Sequence, residues 1–250
     1  SWFDRRMKKA FVTGFPIKHS KSPLLHGHWL QKYNVEGAYE AIEIDPKNFK
    51  DFLYGLKSDG LVGGNVTLPH KETAFELVEK IDEAAEIIGA VNTIWFEGNV
   101  LCGGNTDGYG FSANLDEYAK EWRSGKTAII LGAGGASRAV IHSVLKAGFN
   151  HVHIVNRTLS RAETLADRFG DRCVANPWQA LPELLTECDL LVNTTSLGMS
   201  GSDSSETPMP DLQCMKQSAI ITDIVYTPLE TPLLTAAKSQ GLVTVDGLGM

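Results

Sequence analysis

Cysteine is scarce in this 250-residue chain, with four in all. None of Cys102, Cys173, Cys188 and Cys214 stands in a C-x-x-C or similar close pair, which excludes a disulfide framework and a thiolate zinc site and fits reduced thiols. His26 with His28, and His151 with His153, lack the carboxylate or thiolate company that a metal needs, so no metal is expected. Long apolar runs are missing too: none approaches the ~20 residues of a membrane span. The opening residues SWFDRRMKK lack the apolar core of a secretory signal. The expected location is the cytoplasm, with no membrane partner. There is no basic block, and 23 Lys and Arg against 30 Asp and Glu give a formal net charge of −7. Affinity for a phosphate backbone is built from clustered Lys and Arg, so a general nucleic-acid partner is excluded. Internal repeats and low-complexity tracts are absent.

What is present is an ordinary globular composition, 43% hydrophobic and 21% charged, on a chain longer than the commonest single domain, so two domains are expected. The most informative stretch is TAIILGAGGASR, residues 127–138. The apolar run Ile129, Ile130, Leu131 lacks alternation, as in a strand buried on both faces of a parallel sheet. Gly132 allows a tight turn, Ala133 follows, and Gly134 lets backbone approach a phosphate. A helix opening at about Gly135, with Ala136 and Ser137 in its first turn, points unpaired N–H groups at that phosphate. The dinucleotide fingerprint wants a third glycine where this chain has Ser137; serine is small enough for close packing. The plainer alternative is a structural turn.

The next strand, residues 151–155, ends in Asn156, Arg157 and Thr158. A chain choosing NAD carries an acid roughly 20 residues past the glycines; here the place holds arginine. A guanidinium offers a fork of donors to a phosphate, favouring NADP, and Arg161 adds a second positive charge. Arg157 as a solvated strand-end residue is the plainer reading.

Patterning along the chain predicts strands at 9–15, 38–44 and 61–67. Helices are expected after Pro23, after the Asp45–Pro46 cap and from Pro69. A short helix from Asp82 to Gly89 precedes a hairpin over 90–106 turning at Gly98, so the first sheet is expected to be mixed. Asp107 is expected to cap a helix over 108–122, and 124–126 reads as a linker. Helices at about 137–147, 160–169 and 231–240 and strands at 189–194, 219–225 and 243–245 complete the second unit; 198–211 reads as a loop. The expected class is α/β: an N-terminal αβα domain with a mixed sheet (1–107), then a Rossmann-type doubly wound parallel sheet (108–250).

Lys71 falls in the first turn of a helix, where the macrodipole disfavours a cation, and this invites a functional reading. A lysine beside an aspartate can serve as a proton donor, because desolvation and a neighbouring charge tune an ammonium toward working pH; Lys71 and Asp107 are candidates. Ser20, Ser22, Thr67 and Asn92 join them at strand ends and helix starts, where open α/β sheets bind ligands. Taken singly, each has a plainer role as a cap, a surface residue, a strand residue or part of a turn.

The series HSKSP (19–23), GGNVTLPHK (63–71), GAVNTI (89–94), GNTDGYG (104–110), GAGGASRA (132–139), NRT (156–158) and GLGM (247–250) resembles the shikimate dehydrogenase family in collinear order over nearly the whole chain. The resemblance implies NADPH-dependent reduction of 3-dehydroshikimate to shikimate, in aromatic amino-acid biosynthesis. It implies that Ser20 and Ser22 bind the substrate carboxylate and that Thr67, Asn92, Asp107 and Lys71 hold the ring hydroxyls, with Lys71 and Asp107 as the proton-transfer pair. Gly132 to Ser137 would meet the pyrophosphate, and Asn156, Arg157 and Thr158 the ribose phosphate. Thr194 and Ser196 would line the ribose side, with Tyr226, Gly247 and Met250 near nicotinamide and substrate. It further implies a helix after GLGM carrying a substrate-binding glutamine, and leaves a homodimer open. Alternatives are a quinate/shikimate dehydrogenase of broader substrate and cofactor use, and a non-catalytic sensor of a shikimate-like ligand. Glutamyl-tRNA reductase, which shares the dinucleotide domain, would need a catalytic cysteine and a tRNA-binding surface.

Overall fold

Strands and helices alternate as the patterning predicts. The computed structural model describes residues 8–17, 37–197, 208–226 and 228–250, and the chain divides into two compact units, Ser1–Thr106 and Asp107–Met250. The helix expected after Pro23 lies outside the described residues, as does most of the 198–211 loop.

The first unit is built on β1 (Lys8–Gly14), β2 (Gly37–Glu43), β3 (Leu61–Val66), β4 (Lys80–Ile81), β5 (Thr93–Glu97) and β6 (Val100–Gly104), in the order β2-β1-β3-β5-β6-β4. β1 runs parallel to β2 and β3, while β5 is antiparallel to both β3 and β6, so the sheet is mixed. The helices are α1 (Phe49–Tyr54), α2 (Lys71–Leu77) and α3 (Glu83–Ile88). Asp45 caps as expected, its carboxylate accepting from Lys47 N, but the turn it caps is a 3₁₀ turn, Pro46–Asn48, leading into α1. Phe49, Leu53 and Leu56 then pack with Phe11, Val66 and Ile94 into one core. α2 starts two residues later than the sequence suggests, because Pro69 belongs to a turn closed by His70 N on Thr67 O. Asp82 accepts from Ala85 N at 2.8 Å to start α3, and Gly89, at φ 76°, ends it in the left-handed region. The two-residue β4 is too short to show in the patterning.

In the second unit β7 (Thr127–Leu131), β8 (His151–Asn156), β9 (Cys173–Pro177), β10 (Leu190–Asn193), β11 (Ile220–Asp223) and β12 (Val243–Val245) form a wholly parallel sheet, ordered β12-β11-β10-β7-β8-β9. Counted from β7 this is 3-2-1-4-5-6, the doubly wound dinucleotide-binding order. Its helices are α4 (Asp107–Tyr118), α5 (Gly135–Lys146), α6 (Leu159–Phe169), α7 (Leu181–Leu184) and α8 (Pro232–Ser239). The unalternating apolar run of β7 now has its cause: Ile130 enters one core with Val140 and Phe149, whereas Ile129 and Leu131 enter the other with Leu185 and Leu234. β9 and α7 have no sequence signal, since β9 is a short edge strand ending in Asn176 and Pro177.

Two expectations need correction here. Asp107 is itself the first residue of α4, which stops at Tyr118; a 3₁₀ turn, Lys120–Ser124, then carries Trp122. That turn is fixed by Asp116, whose Oδ1 accepts from Trp122 Nε1 at 2.7 Å and Arg123 Nε at 2.8 Å. Residues 124–126, read as a linker, lie inside the second unit: Gly125 backs onto the Phe149 ring, and Asp189 Oδ2 accepts from Lys126 N and Thr127 N.

Candidate active site

In the first unit the candidate residues gather at the carboxyl end of β3. Val66 N donates to Asn92 O at 2.8 Å and Val91 N to Lys71 O at 2.9 Å, which draws the 91–92 segment against the end of β3 and the start of α2. Thr67, Lys71 and Asn92 therefore share one end of the sheet. The Asn92 side chain is 7% exposed; its Oδ1 accepts from Thr106 N and the Thr93 hydroxyl, and its Nδ2 donates to Thr106 Oγ1. It thereby fixes the residue immediately before Asp107. Next to it, Asn65 accepts from Tyr39 OH at 2.7 Å.

Lys71 is the first residue of α2 and is only 8% exposed. The positive end of the helix macrodipole disfavours an ammonium at this position. The residue ahead of it is held rigidly: the His70 ring stacks on Phe49 at 4.3 Å and its Nε2 lies 2.7 Å from Ile44 O. Burial pushes the His70 imidazole below its ordinary pKa. Sequence reasoning missed His70; its neighbour in the motif was the only hint. Ser20 and Ser22 lie outside the described residues.

In the second unit the candidates surround the carboxyl ends of β7, β8, β10, β11 and β12. Gly132 turns the chain at φ 107°, with its N–H on Val155 O; a Cβ there would lie 2.5 Å from Thr194 Oγ1. Thr194 in turn donates from both N and Oγ1 to Leu131 O. Ala133 and Ser137 are buried, and the Ser137 hydroxyl donates to Gly134 O at 2.5 Å, so serine does fit the close-packed third position. Gly134 is the telling residue. Its backbone is extended (φ −93°, ψ −169°), and a Cβ there would meet nothing within 4 Å. Neither strain nor packing calls for glycine, so the space is a cradle that a side chain would fill, in front of the free N–H groups of Gly135, Ala136 and Ser137. That fits a phosphate.

Asn156 Nδ2 donates to Thr158 O at 2.9 Å, fixing the turn that presents Arg157, and both Arg157 and Arg161 are exposed. Arg157 borders an open cavity of about 480 Å³ lined also by Trp178, Leu181 and Met209. Ser196 is exposed beyond β10, Tyr226 is half-buried beyond β11, and Gly247 packs against Ile224 O. Met250 closes a turn onto Gly247 O and packs on the core beside Gly110. All four cysteines are free. Burial pushes the Cys173 thiol up to about 11 and the Cys188 thiol to about 12, so neither is a thiolate nucleophile at neutral pH.

Two family descriptions match the chain: shikimate dehydrogenase substrate binding domain over residues 12–94, and shikimate / quinate 5-dehydrogenase over 116–241. A shikimate dehydrogenase (NADP(+)) of Mesorhizobium japonicum is 56% identical over 97% of this chain and 86% of its own length. One from Brucella abortus is 55% identical over 98% of this chain and 85% of its own. Among solved structures, the shikimate 5-dehydrogenase of Thermus thermophilus in complex with NADP(H) and shikimate matches with a TM-score of 0.84 at 35% identity, over 97% of this chain and 88% of that one.

Proposed function

The chain belongs to the shikimate dehydrogenase family, and we propose on that premise that it catalyses the reversible NADP-dependent reduction of 3-dehydroshikimate to shikimate. Bound NADPH would supply the hydride; the chain's own residues bind, orient and move the proton. The backbone of Gly132, Ala133, Gly134, Gly135, Ala136 and Ser137 holds the pyrophosphate, with Asn156, Arg157, Thr158 and Arg161 at the 2′-phosphate. Thr194 and Ser196 face the ribose, and Gly247 and Met250 the nicotinamide. Ser20 and Ser22 take the substrate carboxylate; Thr67, Asn92 and Tyr226 take its hydroxyls. Lys71 Nζ, with Asp107, passes a proton to the carbonyl oxygen as it becomes a hydroxyl. The four free cysteines support a reducing, cytoplasmic setting.

The observation that carries this reading is the burial of Lys71 at the first position of α2, where the macrodipole opposes a cation and a proton-transfer role accounts for the lysine. The test is oxidation of shikimate and of quinate, each with NADP and with NAD. NADPH formation from shikimate far above the other three combinations is expected. Comparable kcat/KM for quinate with NAD would replace this reading by the broader dehydrogenase, and no turnover of shikimate would reject it.

A further inference from the structure

Among the described residues, the mechanism above leaves one fully buried carboxylate unused. Asp223, at the end of β11, has no solvent exposure, and neither do Asn193 and Thr231 around it. Its Oδ1 accepts from Val225 N at 3.0 Å and from Asn193 Nδ2 at 3.1 Å, and its Oδ2 from the Thr231 hydroxyl at 2.9 Å. Burial pushes the carboxyl above the ordinary range against the pull of these donors, so the group is retained at a cost to the fold.

What it connects is specific. Asn193 stands opposite Asp223 in the β10–β11 pairing. Its Oδ1 accepts from Thr195 N at 3.0 Å and Thr195 Oγ1 at 2.6 Å, and its Nδ2 also donates to Leu197 O. Leu197 N closes the turn on Thr195 Oγ1. The 194–197 turn is thus wound around the Asn193 amide, and the amide is oriented by Asp223. On the other side, the same carboxylate holds Val225, the residue before Tyr226.

We propose that Asp223 is a positioning residue for both ligands: through Asn193 it sets the cofactor-facing turn 194–197, and through the Val225 amide it sets the segment that carries Tyr226. This rests on the functional reading above, in which Thr194 and Ser196 face the cofactor and Tyr226 the substrate. The strand pairing brings these two segments side by side, and a single buried acceptor ties both.

The test compares Asn193→Ala, Asp223→Asn and Thr195→Val with the wild-type chain, reading the NADP dissociation constant by calorimetry and the KM for shikimate at saturating NADP. Asn193→Ala removes the cofactor branch while leaving Asp223 its Val225 and Thr231 donors, and is expected to raise the NADP constant about tenfold, the scale of losing a buried hydrogen-bonded pair, with the shikimate KM nearly unchanged. Asp223→Asn reaches both branches and should raise both constants. Thr195→Val disturbs no buried charge and keeps the test open if the other variants fold poorly; a rise of about threefold for NADP is expected. A merely structural role would weaken both ligands alike in Asn193→Ala, which overturns the proposal. Unchanged NADP binding in Thr195→Val also overturns it. A wild-type chain that neither binds NADP nor oxidises shikimate overturns the functional reading as well, whereas an active wild type with unaltered variants overturns the positioning role alone.

Discussion

Within Ser1–Thr106 the candidate ligand groups are side chains, Thr67, Lys71 and Asn92, at the strand ends of a mixed sheet. Within Asp107–Met250 the candidate pyrophosphate site is backbone, the turn from Gly132 through the first residues of α5, at the strand ends of a parallel sheet. The difference has a mechanical meaning. A site made of side chains is disabled by removing atoms, and its fold can survive the loss. A site made of backbone is disabled by adding atoms, and the same addition one or two residues away breaks the fold instead.

The sharpest way to break this comparison is at Lys71. Lys71→Ala is expected to lower kcat by about 10²-fold or more, the scale of losing a general acid or base. Its melting temperature should stay near wild type, since the helix start is relieved of a cation. Wild-type turnover, or collapse of stability in step with activity, would remove Lys71 from the chemistry. Arg157 sharpens the contrast as a side chain beside the backbone-built cradle. Arg157→Ala gives up hydrogen bonds to a charged group, about 1.5–3 kcal/mol, so NADP should bind about tenfold to a hundredfold more weakly while NAD is little affected. Equal losses for the two cofactors would assign Arg157 to structure.

The paired glycines test the rule itself. Gly134→Val should weaken NADP binding about tenfold, from roughly 1–2 kcal/mol of overpacking against the phosphate, with an unchanged melting curve, because its Cβ has open space and an allowed backbone. Gly132→Ala should do the reverse and destabilise the fold by roughly 1–2 kcal/mol for a Cβ in the left-handed region, with the Thr194 hydroxyl in its way. Calorimetric melting and cofactor titration of both variants would show whether the two positions separate in this way.

The smallest effect concerns the frame of the second unit. Burial acts to raise the Asp189 carboxyl, but Lys216 at 2.7 Å and the N–H groups of Lys126 and Thr127 hold it below the ordinary range. A depressed acid contributes stability that is present above its unfolded pKa, ~3.9, and lost as pH falls through its folded value. Asp189→Asn should cost at most about 1 kcal/mol at neutral pH, as for a partly exposed pair. The gap in melting temperature from wild type should close as the solution is acidified below pH ~4; a gap that widens would contradict the sign.

Local chemistry made much of this legible in advance. The uninterrupted apolar residues of β7 followed by glycines announce a central parallel strand and its turn, and Asp82 and Thr231 with Pro232 announce helix starts by their own capping. Part of what stayed hidden depends on residues far apart in the chain. His70 is fixed by Ile44 and Phe49, Asn193 is paired with Asp223, and 124–126 is anchored by Asp189. No window along the chain contains both partners. The oddness of Lys71 was visible as a cation in a first helical turn, and with Asp107 it already stood as a candidate proton donor; the family resemblance added the substrate it would act on. Ser20 and Ser22 were candidates by their place at a helix start, drew a carboxylate role only from the resemblance, and lie outside the described residues.

Trp122 has an optical consequence. Its indole is 1% exposed, stacked near Phe149, and donates to Asp116, so its fluorescence should be emitted at short wavelength, as from an apolar solvent, and move to the red when the second unit unfolds. Trp95, half-buried in β5, is the corresponding indole among the described residues of the first unit. Keeping one or the other as the sole emitter would let each unit report its own melting in separate light.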